Sequence, residues 1–297
     1  MSIDCMKKFA LGVLFFARRF PIRLVTLFRI IGLAFRNLLL RSSSGKSNGV
    51  QVESSLVVSL TSHGKRIRWC YLAIESMIQS GCLESNIYLW IPKGSEISPS
   101  LQRLAKRGLN IMFVDDQKSH TKYCYLGSVN LPERHLGYLL ADDDLIYPRN
   151  WYPRLVSAAK SEPGSPAVSF GAQLSSRNGT VSFFHSPEVG NESDTSTNQL
   201  LFHPFSGSGL YIPANVLHSV NCDPASFMVA SPFNDDIWLH REFFRIGLPV
   251  RDLGGKIMPP SIPFVAGGGL FITNWAGGQN EVQLKAAFRD LIKTPMN

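Results

Sequence analysis

Two acidic clusters hold the side chains best suited to chemistry. One is Asp142-Asp143-Asp144, within GYLLADDDLIYP; the other is Asp235-Asp236, within NDDIWLHREFF. Three adjacent carboxylates behind an apolar run cannot all stay ionised in one dry pocket. Either their pKa values rise or a cation neutralises them. In an extended segment Asp142 and Asp144 point one way and Asp143 the other. A D-x-D pair on one face suits a hard divalent ion, Mg2+ or Mn2+, through oxygen ligands. The same ion can bridge a diphosphate and stabilise a leaving phosphate. A solvated Asp-rich turn is the plainer alternative, disfavoured by the position directly behind YLLA. In the second cluster, Ile237, Trp238, Leu239 and Phe243 read as the buried face of a helix. Asp235 and Asp236 then fall at its N-terminus, where negative charge is favoured, so capping alone would also account for them.

The elements that must position these acids are legible upstream. SLVVSL (Ser55–Leu60) is a short β-branched run of the kind buried in parallel sheets. A helix follows, with apolar residues at Trp69, Leu72, Ile74, Met77 and Ile78, and Gly81 as its C-cap. NIYLWIP (Asn86–Pro92) is the next strand. Ser98 caps a further helix with Pro99 at its first position, and Gly108 ends it. NIMFVDD (Asn110–Asp116) and YLLADDD supply the third and fourth strands. Such alternation predicts an α/β fold, Rossmann-like, with a mostly parallel sheet flanked by helices. Ligands of these sheets bind beyond the carboxyl ends of the strands. Thr61-Ser62-His63, Asp115-Asp116 and the Asp triplet all fall at such ends. After Pro166 the strand candidates shorten, as in AVSFGA and TVSFF, and this half is expected to carry the second substrate's pocket.

The 297 residues are 44% hydrophobic and 18% charged, which is globular composition. The formal charge of +8 is concentrated at the start. Residues 1–41 carry Lys7, Lys8, Arg18, Arg19, Arg23, Arg29, Arg36 and Arg41 against Asp4 alone, so the remainder, with 22 basic and 21 acidic residues, is near neutral. A nucleic-acid enzyme would spread its cations over the folded body, and nucleic acid is therefore discounted. The leader has no uncharged stretch long enough to span a bilayer, and no clean signal-peptide cleavage site follows an apolar core. On a helical wheel its basic residues share one arc of about 160° and Phe, Leu, Ile and Val fill the rest. Pro21 is expected to divide it into two helices. The pattern predicts an in-plane anchor on an anionic membrane, with Lys and Arg on headgroups; a helix packed on the body or on a partner is the alternative. Residues 1–48 thus read as leader plus polar linker (Ser42–Gly49), and 49–297 as the catalytic domain, divided into 49–148 and 149–297. Five scattered cysteines without CxxC spacing read as reduced, mostly buried thiols.

From about Leu56 to about Phe288 the chain resembles bacterial glycosyltransferases of the GT-A fold. The likeness is to the family 2-like group that builds capsular or lipid-linked polysaccharides. It rests on VVSLTSHGKRI, IYLWIPKG, LAKRGLNIMFVDDQKSHTKY, LLADDDLIYPRNWYPRL, GSGLYIPANVLH and FNDDIWL in this order. The resemblance implies a nucleotide-sugar donor, a divalent metal at the D-x-D, and a glycan or lipid-linked acceptor. It also implies work at the cytoplasmic face of the bacterial plasma membrane, peripherally bound.

On that resemblance, Thr61, Ser62 and Arg66 cradle the base and ribose, although Thr61 and Ser62 could instead cap the next helix. Asp115 or Asp116 meets base or ribose, or caps. Lys118 and Lys122 face the crevice and suit the diphosphate. Asp142 touches ribose or metal, Asp144 holds the metal, and Asp143 lies at the nucleotide or serves as a structural acceptor. Asp236, in preference to Asp235, is the general base that deprotonates the acceptor hydroxyl in an inverting displacement. The Gly207 and Gly209 loop approaches sugar or phosphate closely, or simply turns. Asn274 and Asn280 are weaker candidates for phosphate or acceptor. His185, His203 and His218 have no metal spacing and read as structural. Gly171–Gln199 matches no signature, and the usual late histidine ligand is not evident after His240. A sugar nucleotidyltransferase is the alternative enzyme, but its glycine-rich phosphate loop is missing from TSHGKRI. A degenerate, membrane-bound scaffold is the non-enzyme alternative.

Overall fold

The computed structural model describes residues 24–40, 55–129, 135–177, 180–183, 199–255, 258–263, 265 and 278–291. The first described element is helix α1 (residues 24–39). Then come β1 (Ser55–Thr61), α2 (Tyr71–Gln79), β2 (Ile87–Pro92), α3 (Pro99–Lys106), β3 (Asn110–Val114), α4 (Thr121–Cys124), β4 (His135–Leu140) and α5 (Trp151–Ser161). The second half holds β5 (Ala167–Val168), β6 (Gly171–Gln173), β7 (Ser175–Arg177), β8 (Thr180–Ser182), β9 (Phe202–Pro204) and β10 (Leu210–Pro213). It closes with α6 (Ala214–Leu217), α7 (Pro224–Ala230), α8 (Asp235–Arg245), β11 (Arg251–Asp252) and α9 (Gln279–Phe288).

Seven strands form one sheet in the order β11-β5-β10-β4-β1-β2-β3. β4, β1, β2 and β3 run parallel, as do β5 and β11. Only β10 runs against its neighbours, β4 and β5. The chain is therefore α/β, with a mostly parallel, Rossmann-like sheet between helices. Alternation along the strands explains the layering. Leu56, Val58 and Leu60 pack with α2, α3 and α5, while Val57 packs with α7 and α8 on the opposite face. The local signals hold where their chemistry is local. Ser98 Oγ accepts the Leu101 N–H at 3.3 Å, with Pro99 at the first turn.

α1 belongs to this core. Ile30 and Leu33 are buried in the α2/α3/α5 layer. Arg36 Nε and Asn37 Nδ2 donate to the wholly buried Glu75, at 3.1 and 3.0 Å. Arg107 completes the enclosure of Glu75, and Arg29 donates to the Tyr147 carbonyl. The sequence pattern assigns the basic stripe to lipid headgroups. In α1 that stripe instead turns toward the body, because a buried carboxylate needs cationic and hydrogen-bonding partners. The other leader cations and the linker Ser42–Gly49 lie outside the described residues. Among the described residues no helix is long and apolar enough to cross a membrane. Cys70, Cys82, Cys124 and Cys222 are free thiols, Cys70 and Cys82 buried.

Candidate active site

β4 ends at Leu140, and Ala141 extends its pairing by one bond to the Ser59 carbonyl, 3.0 Å. Asp143 and Asp144 then form a turn. Strand alternation stops there, so Asp142 and Asp144 are not displayed as an extended pair opposite Asp143. Two internal cations divide the triplet instead. Arg66, on the short 3-10 turn Gly64–Arg68, pairs with Asp143 and, at 2.9 Å, with Asp144. Ser62 Oγ donates to Asp143 at 2.5 Å. Lys122, on α4, takes Asp142 at 2.8 Å.

The second cluster meets the first through Lys122. Its ammonium also lies 2.8 Å from Asp235 Oδ2 and 2.8 Å from Ser206 Oγ. Ser206 donates its hydroxyl to Asp235 at 3.1 Å and its backbone N–H to Asp236 at 2.9 Å. α8 begins there because Asn234 Oδ1 accepts the Ile237 N–H at 3.1 Å, an N-cap. Asn280 Oδ1 accepts from Asn234 Nδ2 at 2.9 Å, so Asn280 braces that cap.

The Ser206–Ser208 turn closes over Asp142. A Cβ on Gly207 would stand 2.1 Å from Asp142 Oδ2, which only glycine avoids. Gly209 adopts φ +110°, a region L side chains rarely enter, and abuts Trp151. Trp151 Nε1 donates to the Ser208 carbonyl at 2.7 Å. Tyr147 fastens the turn from below: its hydroxyl accepts the Asp142 N–H at 2.7 Å and donates to the Gly207 carbonyl at 2.8 Å.

Five carboxylates thus gather around two cations, and burial decides how they share charge. Burial opposes ionisation of Asp142, yet Lys122, with help from Arg66, outweighs it and holds the Asp142 pKa below the ordinary value. Burial raises Asp143, against the pull of Arg66 and Ser62. Burial, with Asp143 and Asp142 nearby, pushes Asp144 up to about 7 against the opposing Arg66. Burial and the neighbouring Asp235 charge push Asp236 up to about 7 as well. Burial alone would depress Lys122, but Asp142, Asp235 and Asp236 together hold it above the ordinary lysine value.

The cluster therefore unites Ser62, Arg66, Lys122, Asp142, Asp143, Asp144, Asp235 and Asp236. The other candidates stand apart. Thr61 Oγ1 donates to the Trp90 carbonyl at 3.1 Å, tying β1 to β2. Asp116 is exposed and accepts the Lys118 N–H at 2.8 Å within its own loop. Asp115 pairs with Lys93 at the surface. Lys118, at φ 56°, sets its ammonium 4.1 Å from the Phe233 ring centroid, one residue before the α8 cap. His203 and His240 pair through their Nδ1 atoms at 3.1 Å in an apolar setting, and burial holds both below the usual histidine range. His185 and Asn274 lie outside the described residues.

Sequence reasoning missed Ser206 and Tyr147. Ser206 had a faint signal, as the first residue of SGSG. Tyr147 had none beyond its place before Pro148, because its hydroxyl bonds only backbone atoms, those of nearby Asp142 and of distant Gly207.

No protein-family model matches the chain, and no curated protein matches it.

Proposed function

We propose that the chain is a GT-A-type glycosyltransferase that moves a sugar from a nucleotide-sugar to a hydroxyl of a glycan or lipid-linked acceptor, with inversion. The observation that supports this best is the position of Lys122, 2.8 Å from both Asp142 and Asp235. It makes one site of two acidic motifs, at the carboxyl end of β1 and β4, where open α/β sheets bind ligands.

In this reading Asp236 is the general base. It is partly exposed, and a pKa near 7 suits a base working at neutral pH. It takes the proton of the acceptor hydroxyl, and that oxygen forms the new bond to the anomeric carbon. The bond from that carbon to the diphosphate breaks, and its electron pair leaves with the diphosphate oxygen. Lys122, enclosed by Asp142, Asp235 and Ser206, acts as the fixed cation that holds the two acidic motifs together, and the partly exposed Arg66 is the cation that would meet the donor's phosphates.

Among the described residues no group of three or more His, Cys, Asp or Glu side chains forms a metal site, so in this reading a divalent ion would rest on Asp142 and Asp144 alone. Asp142 and Asp144 are partly exposed, and each commits one carboxylate oxygen to an internal ion pair. The Asp144 oxygen not paired with Arg66 and the Asp142 carboxylate would be the protein ligands of a Mg2+ or Mn2+ ion completed by water and diphosphate. When bound, such an ion neutralises charge on the leaving diphosphate.

The test is release of nucleoside diphosphate by the purified full chain from a panel of nucleotide-sugars, with Mn2+ or Mg2+. Turnover with at least one donor, lost in both Asp236→Asn and Asp144→Asn, is the expected result. A folded wild type that releases nothing from any donor overturns the reading.

A further inference from the structure

The side chains of α1 are distributed inside out for a surface helix. Thr26, Ile30, Leu33 and Asn37 are buried against the body, with Arg29 and Arg36 at the seam. Every exposed side chain of residues 24–40 is apolar: Leu24, Val25, Leu27, Phe28, Ile31, Phe35, Leu38, Leu39 and Leu40, beside Gly32. At 100° per residue the exposed positions of the helix fill an arc of about 160°, along roughly 24 Å of helix. Surface helices ordinarily turn their apolar stripe inward and their charges out. A contiguous exposed apolar ridge of this size marks an interaction surface.

We propose that this ridge is a bilayer-insertion surface: α1 lies in the membrane plane with its outward side chains in the acyl region, while its inward side (Thr26, Ile30, Leu33 and Asn37) holds the folded body. Two features select lipid as the occupant. The outward arc carries no hydrogen-bonding or charged side chain among its described residues, which suits hydrocarbon. The chain flanking it is strongly basic, with Lys7, Lys8, Arg18, Arg19 and Arg23 before it against Asp4, and Arg41 directly after it. That charge complements anionic headgroups. Because Arg29 and Arg36 are engaged by Tyr147 and Glu75, apolar insertion rather than their charge supplies the hold of α1 itself. The proposal stands apart from the catalytic reading and concerns only attachment.

The experiment uses the full chain and vesicles of phosphatidylcholine with and without phosphatidylglycerol. Wild type is expected to cosediment with both, more tightly with phosphatidylglycerol. The quadruple variant Phe28→Ser, Ile31→Ser, Phe35→Ser, Leu38→Ser is expected to lose roughly a hundredfold or more in partitioning. Its melting temperature should be unchanged, since each replaced side chain is exposed. In Phe35→Trp the indole emission should shift to the blue and be quenched by brominated lipid when vesicles are added. Wild type that fails to bind vesicles, or a folded quadruple variant that binds as wild type does, overturns the proposal. So does a Phe35→Trp indole that is shielded before lipid is added and insensitive to it, which would mean that a second copy or residues 1–23 cover the ridge.

Discussion

The Lys122 ammonium lies 2.8 Å from Asp235 Oδ2, with both side chains almost wholly enclosed. The same nitrogen holds Asp142, so one cation keeps the end of β4 and the start of α8 in register. Removing one partner of a buried ion pair leaves an uncompensated charge, which costs about 3–5 kcal/mol. Lys122→Met is therefore expected to lower the unfolding free energy, read from urea titration, by an amount in that range and to remove donor turnover. An unchanged midpoint would show that the two motifs hold together without it.

The pH dependence follows from Asp236 and Asp144, both raised to about 7, chiefly by burial. Unfolded, each would release its proton near pH 4, the ordinary Asp value. Between those limits the folded chain binds more protons than the unfolded one. Their contribution to stability is thus fully present at about pH 4 and below, and is lost as pH rises through about 7. Asp236→Asn should flatten part of this decline in melts taken across the range. In catalysis the sign reverses, because a base must be ionised: kcat/KM should rise with pH through about 7 and then level. If Asp236→Asn keeps both turnover and that limb, the base lies elsewhere.

Gly207 offers a test of shape rather than charge. An added methyl would meet Asp142 Oδ2 at 2.1 Å, and Tyr147 holds both backbones in place. Relaxation would have to push the Ser206–Ser208 turn away from Lys122. Overpacking of this kind costs about 1–3 kcal/mol. Gly207→Ala should lower thermal stability by that order and cut turnover more steeply, because Ser206 contacts both Asp235 and Asp236. Equal turnover with a lowered melting temperature would make the turn a matter of packing alone.

What could be read in the chain beforehand depends on the range of each interaction. SLVVSL and NIYLWIP became buried parallel strands because such a strand needs only its own run of apolar residues, and NIMFV became the half-exposed edge strand beside them. Ser98-Pro99 capped its helix as read because a cap bonds within three residues, whereas the α8 cap fell to Asn234 rather than to Asp235 or Asp236. The Asp triplet was legible as a cluster but not in its geometry. Whether Asp143 faces Ser62 or solvent depends on a turn and on Arg66, which lies far away in sequence. Lys122 could be placed near the crevice, yet no pattern pointed to its pairing with Asp235. For α1 the wheel separated a basic from an apolar arc correctly. Which arc faces the protein was decided by Glu75, a buried acid on another helix. The antiparallel insertion of β10 is likewise a sheet-level outcome that LYIP alone does not encode.

Asn37 tests how firmly α1 is part of the body. Its side chain is wholly buried, donates to Glu75 at 3.0 Å and to the Ser100 carbonyl at 3.3 Å, and accepts from Arg103 Nε at 3.0 Å. Asn37→Ala would leave a lobe of Glu75 and the Arg103 donor short of a partner, at a cost of about 1–3 kcal/mol. Deleting residues 1–41 would additionally expose the cavity filled by Ile30 and Leu33, each contributing about 1.5–3 kcal/mol of burial. The truncation should therefore unfold at much lower urea than Asn37→Ala, and both below wild type, when followed by far-ultraviolet circular dichroism. A separable leader predicts the opposite order of results: truncation without effect and Asn37→Ala without effect. Ile30 and Leu33 in the core beside Leu72 and Leu101 argue for the first outcome.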